Sequence, residues 1–160
     1  MTHNLTTAIV QMIREDPVLS ELLTDYHGVP AVFTFAPYPE DATKPLIITE
    51  GNVREVMRDS KTTIGREITR DIRIYDNETA DPTTIEWIAQ RVIDLFHKRE
   101  QVLQYYLNYA EQLEAYYVVK CWVDGPRATA HVVDEYVQGR IVTLTIWITR
   151  KQETMPWQIT

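Results

Sequence analysis

Apolar residues recur at helical spacing from the start of the chain: Leu5, Ala8, Ile9, Met12 and Ile13 share one face, with Asn4 placed to cap. Asp16-Pro17 interrupts that run, and Val18, Leu19, Leu22 and Leu23 continue it, so the spacing predicts a kinked or split first helix. Gly28 and Pro30 break the pattern; residues 31–35 then read as a strand that Pro37 and Pro39 end. Residues 46–49 form a second short strand. Residues 64–75 are the clearest strand, with Ile64, Ile68, Ile72 and Ile74 on one face and Glu67, Thr69, Asp71 and Arg73 on the other. The polar stretch 52–63, carrying Val53, Val56 and Met57, is expected to form a long hairpin between the second and third strands.

Asp81-Pro82-Thr83 opens a second helix, whose stripe is Ile85, Ile88, Ala89, Val92 and Phe96. Trp87 falls nearly opposite that stripe, beside Gln90, Arg91 and Asp94, where a core-directed helix has no internal use for it. Residues 99–114 fit a further helix through Val102, Tyr106, Tyr109 and Leu113. Residues 115–123 alternate but are apolar on both faces: Tyr117, Val119, Cys121 and Val123 against Tyr116, Val118 and Trp122. Asp124-Gly125-Pro126 reads as a turn, and residues 140–149 as the last strand. The expected fold is α+β: a mostly antiparallel sheet of about five strands with two or three helices on one face. Residues 1–150 form one domain and 151–160 a tail, polar except for Met155, Trp157 and Ile159.

Composition narrows the function. The chain has 160 residues, enough to bury a core unaided, and its 44% apolar content argues against disorder. A single cysteine forms no internal disulfide, and neither a signal-peptide pattern nor an apolar run of about 20 residues is present, which points to synthesis in a reducing cytoplasm and to no membrane partner. The net charge of −7, with 16 basic residues scattered among 23 acidic ones, argues against sustained nucleic-acid binding. The four histidines show no metal-site spacing, Cys121 has no companion cysteine, and the five glycines make no phosphate loop. Catalytic, cofactor-binding and metal residues are therefore expected to be none. His27 or His131 acting in a cleft is the rival enzyme reading.

What remains is apolar surface beyond one core's needs. Candidate interface residues are Val53, Arg54, Val56 and Met57 in the hairpin, Trp87, Trp122, and Met155, Trp157 and Ile159 in the tail. With these in place, the chain resembles the tail terminator (tail-completion, tail-to-head joining) proteins of long-tailed bacteriophages. The likeness runs through TFAPYP at 34–39, PLIITEGN at 45–52, IGREITRDIRIYD at 64–76, WIAQRVIDLFH at 87–97 and GRIVTLTIWITR at 139–150. It departs at 99–114, longer here than is usual. The resemblance implies a homo-oligomeric ring, usually a hexamer, at the head-proximal end of the tail tube in the virion. Such a ring stops tube growth, contacts the tail tube protein and a neck or head-completion protein, and lets DNA pass without specific binding. The nearest alternatives are another neck ring, such as a stopper or adaptor, and a host-type adaptor domain with no virion role.

Overall fold

The computed structural model describes residues 2–35, 38–110, 117–128 and 137–151. Helix α1 (Thr2–Glu15) gives way at Asp16 to α2 (Pro17–Leu22). Pro17 takes a first-turn position, where its missing N–H costs nothing, and the Asp16 carboxylate accepts the Leu19 N–H at 3.0 Å. The first helix is therefore split, as the spacing predicts. A small hairpin that the pattern does not announce follows, β1 (Asp25–Tyr26) with β2 (Val29–Pro30). His27 and Gly28 between them stand at φ 50° and 86°, the left-handed pair that a two-residue hairpin turn requires.

The main sheet is built from β3 (Val32–Phe33), β4 (Leu46–Thr49), β5 (Arg54–Met57), β6 (Thr63–Asn77), β7 (Tyr117–Ala128) and β8 (Val137–Lys151). Its order is β3-β4-β6-β8-β7, and β5 pairs with β6 on the same side as β4. Only β3 and β4 run parallel. The fold is α+β with a mostly antiparallel sheet. The expected hairpin joins β4 to β6 and contains β5.

Between β6 and β7 lie α3 (Pro82–Phe96) and α4 (Glu100–Ala110). The helices cover one sheet face. Leu5, Ile9 and Ile13 of α1, Ile85, Ile88, Val92 and Phe96 of α3, and Leu103 and Leu107 of α4 meet Ile68, Ile72, Ile74, Leu144 and Ile146. Each such side chain contributes about 1.5–3 kcal/mol when buried. A smaller cluster, Phe33, Ala42, Leu46, Ile48 and Tyr75, sits on the other face at the β3–β4 end.

Two expectations need correction. In α4 the buried residues are Leu103 and Leu107, while Val102 is exposed and Tyr106 half-buried. The helix is turned by one residue because it packs on α1, where the Tyr106 hydroxyl donates to Glu15. The Tyr109 side chain and Leu113 lie outside the described residues. Nor does the Asp124–Pro126 stretch end β7. The strand continues to Ala128, with an irregularity between Asp124 and Arg127 that Gly125 accommodates at φ 115°. A second irregularity at Val119 shifts the alternation, so that Val118, Cys121 and Val123 all face the helices. This is why both sets of β7 residues look apolar in the sequence.

Two buried charged groups tie elements together, one within the helical layer and one between sheet and helix. Asp16 is buried and takes two hydrogen bonds from Arg91 of α3, at 2.6 and 2.9 Å. Burial pushes its carboxyl up, but the Arg91 hydrogen bonds, the Leu19 N–H and the Arg91 charge outweigh that and hold it below the ordinary aspartate value. Arg70 points inward from the isoleucine face of β6 and donates to Thr6 of α1 (2.6 Å) and Asn52 (2.8 Å). Burial, opposed by the charge of Glu55, lowers the Arg70 guanidinium to about 10, so it stays charged at neutral pH.

Candidate assembly surfaces

The β5–β6 hairpin is closed by its own polar groups. Arg58 N–H donates to the Gly65 carbonyl at 2.9 Å, and Asp59 accepts from the Gly65 N–H (3.0 Å) and from Arg66 (2.9 Å). At the turn the Ser60 N–H donates to the Thr63 carbonyl at 2.9 Å. Val53 and Met57 are 62% and 67% exposed, Arg54 is exposed and Val56 half-buried. This hairpin is well formed yet carries bare apolar side chains.

The other expected residues stand apart from it. Trp87 is 66% exposed on α3, in the helical layer. Trp122 is half-buried on the sheet face that carries no helix, with the Lys120 ammonium 5.6 Å from its ring centre. Register places two rows across that face: Arg54, Thr69, Thr145, Trp122, and Val56, Glu67, Trp147, Lys120. The face thus links the hairpin to Trp122 through Trp147, a residue sequence reasoning did not select. Its signal was present, because Trp147 alternates with Thr143 and Thr145 on the polar side of β8. The Trp147 indole N–H is buried and, among the described residues, has no hydrogen-bond partner. Met155, Trp157 and Ile159 lie outside the described residues.

The sheet edges differ sharply. Along β7 the N–H groups of Val118, Cys121 and Val123 donate to Gln104 (2.6 Å), Glu100 (3.3 Å) and His97 (3.1 Å), and the Cys121 carbonyl accepts from Lys98 at 2.9 Å. The connection between α3 and α4, with the first turns of α4, therefore caps this edge. On β3 the Val32 carbonyl accepts from Arg14 at 3.1 Å. On β5 the bonds to β6 turn the backbone groups of Arg54, Val56 and Arg58 inward and those of Glu55 and Met57 outward. Among the described residues nothing meets those outward groups.

Chemistry of other kinds finds little support in the arrangement. Among the described residues no three His, Cys, Asp or Glu side chains stand close enough to share a metal ion, and no helix is long and apolar enough to cross a membrane. Cys121 is buried, and burial, with the Glu100 charge, pushes its thiol up to about 12. A thiol reagent at pH 8 is accordingly expected to leave the native protein unlabelled and to modify one cysteine per chain once denaturant is added. Rapid labelling of the folded chain would contradict this placement. His27 is exposed in the β1–β2 turn, 3.7 Å from Asp41, and His131 lies outside the described residues.

No protein-family model and no curated protein matches the chain. A solved structure described as the virion of a native gene transfer agent particle contains a chain similar to this one. The two share 20% identity with a TM-score of 0.57, over 90% of this chain and 92% of that one. At that identity the likeness is one of fold.

Proposed function

We propose that the chain is a structural subunit of a phage-type virion, a tail terminator that closes into a ring at the head-proximal end of the tail tube. The observation that carries this reading is apolar surface on two separate elements of one folded unit: Met57 and Val53 on the hairpin, Trp87 on α3. A ring needs two different patches per subunit, since each copy meets one neighbour with one surface and the next neighbour with another. A subunit contact of ordinary size buries about 1,600 Å² in total, more than a single exposed side chain offers. The virion chain of like fold supports the setting, and the motif series from 34–39 to 139–150 supports the terminator role in particular. The net charge of −7 suits a channel that DNA traverses without sticking.

In this reading one ring face matches the last ring of the tube and the other recruits a neck protein, so tube growth stops. The test is tube growth itself. Tail tube protein of the same particle, polymerised with the purified chain, is expected to give short tubes that each carry a ring at one end. Trp87→Ala and deletion of residues 55–61 are expected to leave a folded protein with weakened capping. Tubes of unchanged length, with no rings at their ends, sink the proposal.

A further inference from the structure

The β5 edge, uncapped among the described residues, and the tail share a pattern. In the tail, Met155, Trp157 and Ile159 alternate with Thr154, Pro156, Gln158 and Thr160, a period of two that suits a half-buried strand. Proline is tolerated in an added edge strand only where its missing N–H points away from the neighbour. On β5 the outward groups are those of Glu55 and Met57, also two residues apart. We propose that residues 153–159 of a second copy add to β5 as an antiparallel strand, with Met155 opposite Met57 and Trp157 opposite Glu55. This deepens the assembly reading above and rests on it.

Several features converge on that register. It gives four backbone hydrogen bonds, at Glu55 and Met57, and leaves Pro156 across from Val56 with its nitrogen facing away. It sets Met155 against Met57, the most exposed apolar side chain of the hairpin. A second β5 is a poorer occupant. Antiparallel self-pairing through Glu55 and Met57 would put Arg54 opposite Arg58, and like charges across a pair are unfavourable. The β7 edge of a neighbour is already capped along Val118–Val123 by His97, Glu100 and Gln104.

The same register excludes the chain's own tail. Lys151 lies opposite Thr63, and Met57 opposite Arg66 across β6. From Lys151 to a residue beside Met57 is three strand spacings across and three residues along, about 18 Å. The four residues from 151 to 155 reach about 14 Å when fully extended. In this register only a tail from another copy reaches β5.

The test uses two variants of the full chain that each add one cysteine to the buried Cys121, Val56→Cys and Pro156→Cys. In this register their Cα atoms stand about 4.5 Å apart on neighbouring copies, within disulfide range. Under mild oxidation the mixture is expected to give a cross-linked species of twice 18.7 kDa, far above the yield from either variant alone. A chain ending at Lys151 is expected to lose its oligomer in sedimentation. Glu55→Pro, which removes an outward N–H, is expected to do the same while keeping its circular dichroism, whereas Glu55→Ala, which removes the same side-chain contacts to Asn52 and Arg66 but keeps the N–H, is expected to retain the oligomer. No excess cross-link in the mixture, or a full-length chain that is monomeric at every concentration, overturns the exchange. Oligomers that survive loss of the tail also overturn it, yet leave the assembly reading standing; that reading fails separately if tubes go uncapped.

Discussion

Replacing Asp16 by alanine is expected to lower the free energy of unfolding by about 3 kcal/mol, the size typical of breaking a buried ion pair by removing one partner. The change strips α2 of its N-cap and leaves the Arg91 guanidinium, itself one-third exposed, without the carboxylate it grips at 2.6 and 2.9 Å. For a chain of this length the midpoint of thermal unfolding falls by about 6–12 °C. Arg91→Ala is expected to cost a similar amount, because Asp16 is then left charged and buried with the Leu19 N–H alone. The double variant costs clearly less than the sum, as expected for two groups that act through each other.

The pH dependence has a definite sign. The folded-state carboxyl of Asp16 lies below the usual aspartate value, so its stabilisation is complete above that value and fades as pH falls through the folded one. Denaturant titrations at pH 7 and pH 3 check this: the gap between wild type and Asp16→Ala narrows on acidification. A gap that stays constant or widens contradicts the ion pair as the source.

Gly65→Ala is expected to break the hairpin open. A Cβ at Gly65 would sit 2.3 Å from the Arg58 carbonyl oxygen and 3.0 Å from its carbon, both backbone atoms, so no side chain can simply swing aside. Relief requires β5 to leave β6 near the turn, losing the Arg58–Gly65 bond, the Asp59 contacts and the neighbouring ladder. At about 1 kcal/mol for each backbone hydrogen bond, the cost is about 2–3 kcal/mol. The loss is local, because the long β6–β8 ladder and the helical layer do not depend on the turn. Hydrogen exchange reads it directly: amides of Arg54, Val56 and Arg58 lose protection while those of β8 keep theirs. If the hairpin is an assembly element, the same variant fails to cap tubes while remaining folded. Unchanged protection across β5 would show that the turn tolerates the methyl group.

Local chemistry made much of this fold readable. Asp16-Pro17 and Asp81-Pro82 each combine a side-chain acceptor with a proline at the first turn, and both start helices where the sequence places them. The alternation of Ile68, Ile72 and Ile74 against Glu67, Thr69, Asp71 and Arg73 survives because β6 is flanked by strands on both sides and covered on one face. Contacts between distant residues were not readable. Nothing near Asp16 announces Arg91, and nothing near Arg70 announces Thr6. The irregularities in β7 were equally hidden, since the extra residue at Val119 shows in the sequence only as a strand apolar on both faces, a pattern that does not by itself point to a bulge. Of the interface residues, the hairpin set and Trp87 stood out because each breaks a local rule by baring apolar bulk. Trp147 carries the same kind of signal, a large apolar side chain among threonines on the polar side of β8, and it was not selected.

The capped β7 edge bears on how large such an object can become. A sheet with two bare flanks can recruit neighbours on both sides and lengthen without limit, as fibrils do. Here one flank is occupied by the protein's own helical side chains, leaving a receptor at β5 with no matching donor strand inside the folded unit. Direct edge-to-edge stacking of folded sheets is therefore blocked at β7, and the size of an assembly joined through β5 is set by the rotation from one copy to the next.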